Sequence, residues 1–213
     1  MNSPKIAIID YKMSNLFSIR NALKFLDIEA NITSNANEIL SSDGAILPGV
    51  GSYPEAVKHL HDLEIFEPIK DFIKTGKPFM GICLGLQLLF TKSEEFQSTM
   101  GLNVIPGSVR NFKEKVKTVP HVGWNSVKLN KDNALNKNNS LVDTIKEGSY
   151  FYFVHSYFVE PENKSNIKTF TKHEDKTFCS SVMIDNIFAS QFHPEKSGKD
   201  GLAILRNFFK NKD

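Results

Sequence analysis

One short segment has the residues and spacing of a nucleophile. Gly81-Ile82-Cys83-Leu84-Gly85 lies between a predicted strand and a predicted helix. This is the form of the sharp strand-to-helix turn that exposes a nucleophile above a parallel sheet. The helix N-terminus would favour the thiolate, and the N–H of Leu84 would face a developing oxyanion. A buried structural cysteine is the alternative, and these five residues favour neither interpretation.

A second segment supplies a candidate base. In Gln191-Phe192-His193-Pro194-Glu195, the histidine and the glutamate are two residues apart after a predicted strand. In an extended segment such residues point the same way, so Glu195 would orient His193 as in a catalytic triad. A solvated loop histidine is the commoner case in isolation. Together with Cys83, the pair favours a cysteine hydrolase.

A third segment, Pro48-Gly49-Val50-Gly51, follows another predicted strand. Its glycines let the backbone approach a ligand and turn N–H groups toward an oxyanion. Taken alone, the segment is better explained as a plain strand-to-helix turn. The neighbouring strand that carries Cys83 raises the functional interpretation.

The elements that must position these residues alternate in the first half of the chain. The pattern predicts strands at 5–9, 30–33, 44–47 and 79–82, and helices at 16–26, with Ser14 as N-cap, 53–60, 65–75 and 84–90. In the second half it predicts strands at 150–159, 177–183 and 187–192, a turn at Asp185-Asn186, a helix at 201–210 with Leu202, Leu205, Phe208 and Phe209 inward, and a loop or short helix at 130–146. Alternation of this kind is typical of a parallel sheet with helices on both faces. We expect one α/β domain over residues 1–213, with an antiparallel extension.

Composition excludes several classes of function. The chain has 213 residues, a net charge of +2 and two cysteines. So slight a charge gives no footprint for nucleic acid, no apolar run is long enough for a membrane span, and two cysteines build neither a disulfide framework nor a zinc site. We expect a reduced, cytoplasmic, soluble protein without cofactor or metal. Cys179 is expected in the core, and His59 and His61 on a solvated helix face.

The motifs resemble those of class I (triad) glutamine amidotransferases, in order over almost the whole chain. Beyond the three segments above, the matching stretches are Asp10-Tyr11 with Ser14-Asn15-Leu16, Pro120-His121-Val122-Gly123-Trp124-Asn125, and Tyr152-Phe153-Val154-His155-Ser156-Tyr157. The resemblance implies a three-layer, doubly wound, flavodoxin-like fold. The last two stretches point to a subgroup of glutaminase subunits that pass ammonia to a separate cyclase subunit, a (β/α)8 barrel.

The resemblance also implies roles for individual residues. Cys83, His193 and Glu195 would form the triad that releases ammonia from glutamine. The other implied roles are the oxyanion hole at Gly49, Val50 and Leu84, glutamine binding by Gln87, Glu95, Ser156 and Tyr157, and a partner interface at Trp124, Tyr152 and Lys196. The oxyanion loop responds to the partner in this family, so the isolated subunit is expected to be nearly inactive. His121 and His155 are left open between a structural role and one at the edge of the site.

The first loop departs from the family pattern. Lys12-Met13-Ser14 stands where the family usually has Gly-x-Gly, so we expect ordinary φ and ψ angles there. The departure leaves an alternative partner open, an enzyme that aminates surface-sugar precursors. Two further alternatives are a different cysteine hydrolase, such as a γ-glutamyl peptidase, and a non-catalytic scaffold, which the intact triad disfavours.

Overall fold

A parallel sheet forms the centre of the molecule. The computed structural model describes residues 4–112, 116–132 and 144–210. The parallel strands, in spatial order, are β2 (Glu29–Thr33), β1 (Lys5–Ile9), β3 (Gly44–Leu47), β4 (Phe79–Ile82) and β14 (Ile187–Ser190). Each pairs in parallel with its neighbour. Their carboxyl ends meet at one edge, so the predicted functional turns after β3, β4 and β14 come together.

Helices cover both faces of this sheet. They are α1 (Leu16–Phe25), α2 (Ala36–Ser41), α3 (Tyr53–Asp62), α4 (Phe66–Lys74), α5 (Leu84–Leu88) and α6 (Gly198–Lys210). Alternate residues of β1 enter opposite cores: Ile6 and Ile8 pack with α1 and α6, whereas Ala7 and Ile9 pack with α3 and α4. Because strands buried on both faces need two apolar layers, the predicted three-layer α/β architecture is confirmed.

An antiparallel extension continues the sheet beyond β14. It consists of β13 (Lys176–Ile184), β11 (Tyr157–Pro161), β7 (Ile105–Asn111), β5 (Phe90–Ser93) and β6 (Thr99–Met100), with β12 (Ile167–His173) and β9 (Lys128–Leu129) branching from β13. β5 and β7 are parallel to each other. A separate hairpin-like pair, β8 (His121–Ser126) and β10 (Tyr150–His155), lies beside the sheet. The predicted extension is thus confirmed, although β5, β6, β7 and β12 had not been predicted.

Several predicted boundaries were wrong. Asn15, not Ser14, caps α1, because its side chain accepts a hydrogen bond from the N–H of Ser18. The helix predicted to reach Phe90 ends at Leu88, where residues 102–105 bond the last carbonyls and draw Phe90 into β5. The strand predicted at 187–192 ends at Ser190, whose hydroxyl donates to the Phe192 carbonyl and turns the chain.

The strand predicted at 150–159 is two strands in two sheets. β10 ends at His155 and pairs with β8, whereas β11 begins at Tyr157 and pairs with β7. Strand propensity reports a pleated, half-buried environment and does not say which sheet a segment joins. Ser156 is the corner between them.

Other expectations match the structure. Asp185-Asn186 forms the turn between β13 and β14, with Asp185 at φ 47°. In α6, Leu205 and Phe209 are buried and Leu202 and Phe208 pack partly against the same core. Of the predicted loop at 130–146, residues 133–143 lie outside the described ones. None of the described helices combines the length and hydropathy needed to cross a membrane. That residues 1–213 form a single domain stays a prediction.

Candidate active site

The nucleophile turn is built by close packing. Cys83 lies between β4 and α5 with φ 55° and ψ −107°, a conformation that costs a non-glycine residue of the order of 1 kcal/mol or more. Its N–H donates to the Ser190 carbonyl at 2.7 Å, which fixes the turn to β14. A Cβ on Gly85 would overlap the Leu47 carbonyl oxygen of β3. The glycine therefore lets α5 approach the sheet. Since α5 has only five residues, its dipole adds little to thiolate stability.

His193 and Glu195 lie side by side behind the cysteine. Nδ1 of His193 is 2.8 Å from Oε1 of Glu195, and the two side chains are 3% and 2% exposed. The geometry differs from the expected extended segment, because Pro194–Lys196 forms a short 3-10 turn with His193 at its N-cap. Glu195 thereby fixes the tautomer with hydrogen on Nδ1, which leaves Nε2 to exchange a proton with Cys83.

The electrostatics favour a protonated imidazole. Burial lowers the pKa of His193, but the Cys83 side chain and Glu195 outweigh burial, and the net effect raises the pKa above its usual range. Nε2 of His193 and Oε2 of Glu195 have no hydrogen-bond partner within the described ranges. The arrangement therefore favours an imidazolium ring between the Cys83 side chain and the Glu195 carboxylate.

A cavity of about 260 Å³ opens in front of the cysteine. The four residues expected to bind glutamine, Gln87, Glu95, Ser156 and Tyr157, all line it together with Cys83, Val50 and Leu84. Oε2 of Glu95 accepts the N–H of Tyr53 at 2.7 Å. Burial raises the pKa of Glu95 although that hydrogen bond lowers it. The structure thus brings every predicted substrate residue to one pocket.

The oxyanion hole, in contrast, is not formed. The N–H of Leu84 donates to the Gly49 carbonyl at 3.3 Å, and the N–H of Val50 donates to the Met13 carbonyl at 2.8 Å. The Gly49–Val50 peptide therefore presents its oxygen, not its N–H, to Leu84. Neither N–H is free for an oxyanion in this conformation, and the assignment of Gly49, Val50 and Leu84 to the oxyanion hole stays a prediction. One rotation of the Gly49–Val50 peptide would free both donors together.

The first loop holds the oxyanion loop in this state. Lys12 has φ 69°, so the expectation of ordinary backbone angles was wrong. The N–H of Lys12 donates to the Asp10 carboxylate at 2.9 Å, which helps to offset the cost of a left-handed conformation. The turn presents the Met13 carbonyl to Val50.

Tyr11 lies beneath the oxyanion loop. Its side chain is fully buried, and in the described part of the chain its hydroxyl has no hydrogen-bond partner. A Cβ on Gly49 would overlap that hydroxyl. Burial raises the pKa of Tyr11, and the nearby Cys83 adds to the rise. Tyr11 thus explains why position 49 is a glycine, for which the sequence offered two reasons, ligand approach and turn geometry.

His121 and His155 form a buried pair beside the cavity. Nδ1 of His121 is 2.9 Å from Nε2 of His155, and His155 lines the pocket. Burial lowers the pKa of His121 to about 4, with a contribution from His173. Burial likewise lowers the pKa of His155 to about 3. Both rings are therefore neutral near pH 7, and His155 belongs to the edge of the site.

Gln191 was missed as a site residue. It is fully buried, and its Nε2 lies 3.5 Å from the Cys83 sulfur. The alternation rule that paired His193 with Glu195 would also have placed Gln191 on their side of the chain. Among the remaining predictions, Cys179 is buried, and burial raises the pKa of its thiol. His59 is half-buried and bonds the Tyr11 carbonyl, so its expected solvation was wrong.

The residues expected at the partner interface form one surface cluster. Trp124 and Tyr152 are cross-strand neighbours on β8 and β10, with ring centroids 6.4 Å apart. Nζ of Lys196 lies 6.0 Å from the centre of the Tyr152 ring. Trp124 is 56% exposed, which is unusual for so large an apolar side chain.

The fold is a doubly wound α/β sheet, and the turns at the carboxyl ends of its strands group a buried cysteine, histidine and glutamate. The family model described as "Glutamine amidotransferase class-I" matches residues 7–212, and the chain belongs to this family. Its relatives include proteins named "Imidazole glycerol phosphate synthase subunit HisH". The one from Caldanaerobacter subterraneus is 46% identical over 95% of this chain and 96% of its own length. The one from Methanocaldococcus jannaschii is 47% identical over 95% and 97%.

Solved structures agree on the fold. "Structure of PurLQS from Thermotoga maritima" superposes with a TM-score of 0.72 at 19% identity, covering 97% of this chain and 98% of that one. "Crystal structure of glutamine amidotransferase" gives a TM-score of 0.71 at 16% identity, covering 95% and 96%. At such identities the likeness concerns the fold alone.

Proposed function

We propose that this chain is the glutaminase subunit of an imidazole glycerol phosphate synthase, which hydrolyses glutamine and supplies ammonia for histidine biosynthesis. The observation that carries the proposal is the Cys83–His193–Glu195 constellation, whose cysteine lines the pocket. The HisH relatives, 40–47% identical over nearly the whole chain, support the assignment of the complex. The reaction is expected in the cytoplasm, without metal or cofactor.

The triad divides the reaction into two steps. The Cys83 thiolate attacks the side-chain carboxamide carbon of glutamine, and His193 gives its proton to the departing ammonia, which leaves a γ-glutamyl thioester on the sulfur. A water molecule then attacks the thioester while His193 takes up its proton, and glutamate and the free cysteine are released. Glu195 holds the imidazole in one tautomer and stabilises its cation.

The walls of the pocket set the orientation of the substrate. Nε2 of Gln87 donates to the Tyr157 carbonyl at 3.2 Å and to Oε1 of Gln191 at 3.0 Å. Only Oε1 of Gln87 is left for a ligand, and an amide oxygen can only accept. Together with the carboxyl group of Glu95, it suits the α-ammonium group of glutamine. The carboxamide end of the substrate then points toward Cys83.

The occupied oxyanion donors suit an enzyme that waits for its partner. Oxyanion stabilisation by one donor contributes about 10²–10³-fold to acyl-transfer rates. With Leu84 bonded to Gly49 and Val50 bonded to Met13, the chain alone is expected to hydrolyse glutamine slowly. Docking of the cyclase subunit, expected as a (β/α)8 barrel on the cluster of Trp124, Tyr152 and Lys196, would rotate the Gly49–Val50 peptide. Ammonia would then pass into the barrel without reaching solvent.

The test is ammonia release from glutamine by the chain mixed with a histidine-pathway cyclase subunit and its nucleotide ligand. We expect little release without the cyclase, a large increase with it, and none with Cys83→Ala. Cys179→Ala is the matched control and should retain activity, because that thiol lies in the core away from the pocket. Full activity of Cys83→Ala would refute the mechanism. Activation only by a sugar amidotransferase partner would move the chain to that alternative, to which the Lys12-Met13-Ser14 departure still points.

A further inference from the structure

We propose that Gln191 is a positioning residue for the nucleophile, and that a chain of neutral hydrogen-bonding groups reaching back through Gln87 to the Tyr157 carbonyl fixes its orientation. The inference rests on the proposed role of Cys83 and adds the group that holds its sulfur. Gln191 is fully buried, and its Nε2 lies 3.5 Å from Sγ of Cys83. An amide N–H at this distance from sulfur is a donor to the thiolate.

The Tyr157 carbonyl determines every orientation in the chain. A backbone carbonyl can only accept, so both groups that bond it must be donors. They are Nε2 of Gln87, at 3.2 Å, and Nδ1 of His155, at 2.8 Å. The orientation of the Gln87 amide and the tautomer of His155 are therefore both fixed by a neighbour that can only accept a hydrogen bond.

One branch runs from this carbonyl to the nucleophile. The second hydrogen of the Gln87 amide donates to Gln191 at 3.0 Å, which identifies the contacted atom of Gln191 as the oxygen. The nitrogen of Gln191 must then face Cys83. Gln87 and Gln191 are 5% and 0% exposed. In so dry a place a misdirected amide would leave polar atoms unpaired, at a high cost.

The other branch runs through the histidine pair. With its hydrogen on Nδ1, His155 accepts at Nε2 from Nδ1 of His121, 2.9 Å away. Nε2 of His121 in turn accepts from Nδ2 of Asn125, at 3.1 Å. A proton added to either ring would set a donor against a donor. All hydrogen bonds of this branch therefore run in one direction, from donor to acceptor, and none of its groups is charged. The branch begins on β8, the strand that also carries Trp124.

This chain gives Cys83 a donor that carries no charge. The charged or ionisable groups that face or lie near the sulfur are His193 with Glu195 behind it, the phenol of Tyr11 and the neutral His155. His193 must release its proton during the reaction, so it cannot hold the sulfur throughout. The Gln191 amide keeps its hydrogen in every step. It therefore fixes the sulfur toward the cavity before and during attack.

The test measures the rate at which iodoacetamide alkylates Cys83 as a function of pH, in the full wild-type chain and in Gln191→Leu. Peptide mass spectrometry determines the extent of alkylation. Loss of a donor to the thiolate should slow alkylation roughly tenfold at pH 7, with rates converging at high pH. Gln97→Leu, on the surface, is the matched control and should behave as wild type. With the cyclase present, Gln191→Leu should lower kcat for glutamine with little change in KM. A wild-type alkylation profile in correctly folded Gln191→Leu overturns the proposal.

Two further variants keep the test decisive. Gln191→Glu preserves size but replaces the donor by an acceptor, so it should slow alkylation at least as much as Gln191→Leu. Gln87→Met removes the donor to the Gln191 oxygen and leaves the Gln191 amide free to turn, so it should slow alkylation about threefold. If neither variant at 191 melts as wild type does, Gln87→Met decides, and no slowing there overturns the proposal. Because alkylation needs no glutamine turnover, its outcome is independent of whether Cys83→Ala abolishes glutaminase activity.

Discussion

At the scale of single residues, the site depends on side chains that are each held in one conformation. Cys83 is held at a strained φ of 55°, and His193 is confined between the sulfur and Glu195. A nucleophile and base fixed in this way need no rearrangement when the substrate arrives. Glu195 is the residue on which the orientation of the base depends, because it is the hydrogen-bond partner of Nδ1.

Replacing Glu195 by glutamine should therefore lower kcat by about a hundredfold or more, with little effect on KM. The amide neither stabilises the imidazolium nor fixes its tautomer as the carboxylate does. Steady-state glutamine hydrolysis with the cyclase present measures the effect. Glu162→Gln, at an exposed position, should retain full activity. A loss seen only in KM would contradict the assigned role.

The histidine pair makes a separate prediction about stability. The pKa values of His121 and His155 fall to about 4 and about 3 on folding, so the unfolded chain binds protons first. Their stabilising contribution is present above about pH 6.5 and is lost as the pH falls toward 4. His193, with its raised pKa, stays protonated in the folded state over that range, and its contribution is common to the variant and wild type. We expect His155→Leu to show a shallower fall in unfolding free energy between pH 7 and 4, by roughly 2 kcal/mol, in urea titrations. Parallel slopes for variant and wild type would contradict this account.

At the scale of elements, the turns after β3, β4 and β14 assemble the site, and the oxyanion loop after β3 is the one in an unproductive state. Tyr11, which lies below this loop, restricts which residue can occupy position 49. The N–H groups of Leu84 and Val50 become free only when the Gly49–Val50 peptide rotates, and in the present conformation a Cβ at position 49 would overlap the Tyr11 hydroxyl.

Gly49→Ala should accordingly abolish most partner-stimulated activity and lower the melting temperature, because the new methyl group meets the Tyr11 hydroxyl. The double variant Gly49→Ala with Tyr11→Phe should recover part of both losses, since removal of the oxygen relieves the overlap. Tyr11→Phe alone serves as the reference for a double-mutant cycle. Strictly additive effects would show that Tyr11 is not what excludes a side chain at position 49.

The elements also show which features of the structure can be predicted from the sequence. Hydrophobic alternation correctly located β1, β3 and β4, because it is a local feature. The motifs selected residues that the structure brings together, and their catalytic and binding roles stay predictions. The alternation did not reveal that residues 150–159 divide between two sheets, or that Phe90 leaves the helix for β5. Those outcomes depend on pairing with β8, β7 and residues 102–105, which are remote in sequence. The hydrogen bond from Val50 to Met13 and the Gln87–Gln191 contact were hidden for the same reason.

At the scale of the whole molecule, the central sheet places the triad at one edge and the exposed Trp124 cluster beside it on β8 and β10. An exposed aromatic residue next to a lysine over a tyrosine ring is typical of the anchors that dominate protein interfaces. The two histidines of the hydrogen-bonded chain and the aromatic residues of the Trp124 cluster therefore lie on the same strand pair. His121 and Trp124 are both on β8.

Trp124→Ala should weaken association with the cyclase subunit by about 2 kcal/mol, roughly thirtyfold in Kd, while the melting temperature of the free chain stays unchanged. Phe25→Ala is the matched control: Phe25 is 73% exposed but lies at the end of α1 that leads to the opposite edge of the sheet. Titration calorimetry compares the two variants. Equal weakening by both substitutions would mean that the cluster is not the docking surface.

The central claim is that Cys83 attacks the side chain of glutamine in this pocket. The most direct measurement is covalent labelling by acivicin, an electrophilic glutamine analogue, located by peptide mass spectrometry of the chain with its cyclase bound. We predict one label, on Cys83, whose formation glutamine prevents and glutamate slows less. Labelling of Cys179 instead, or labelling of Cys83 that glutamine does not suppress, would contradict the account.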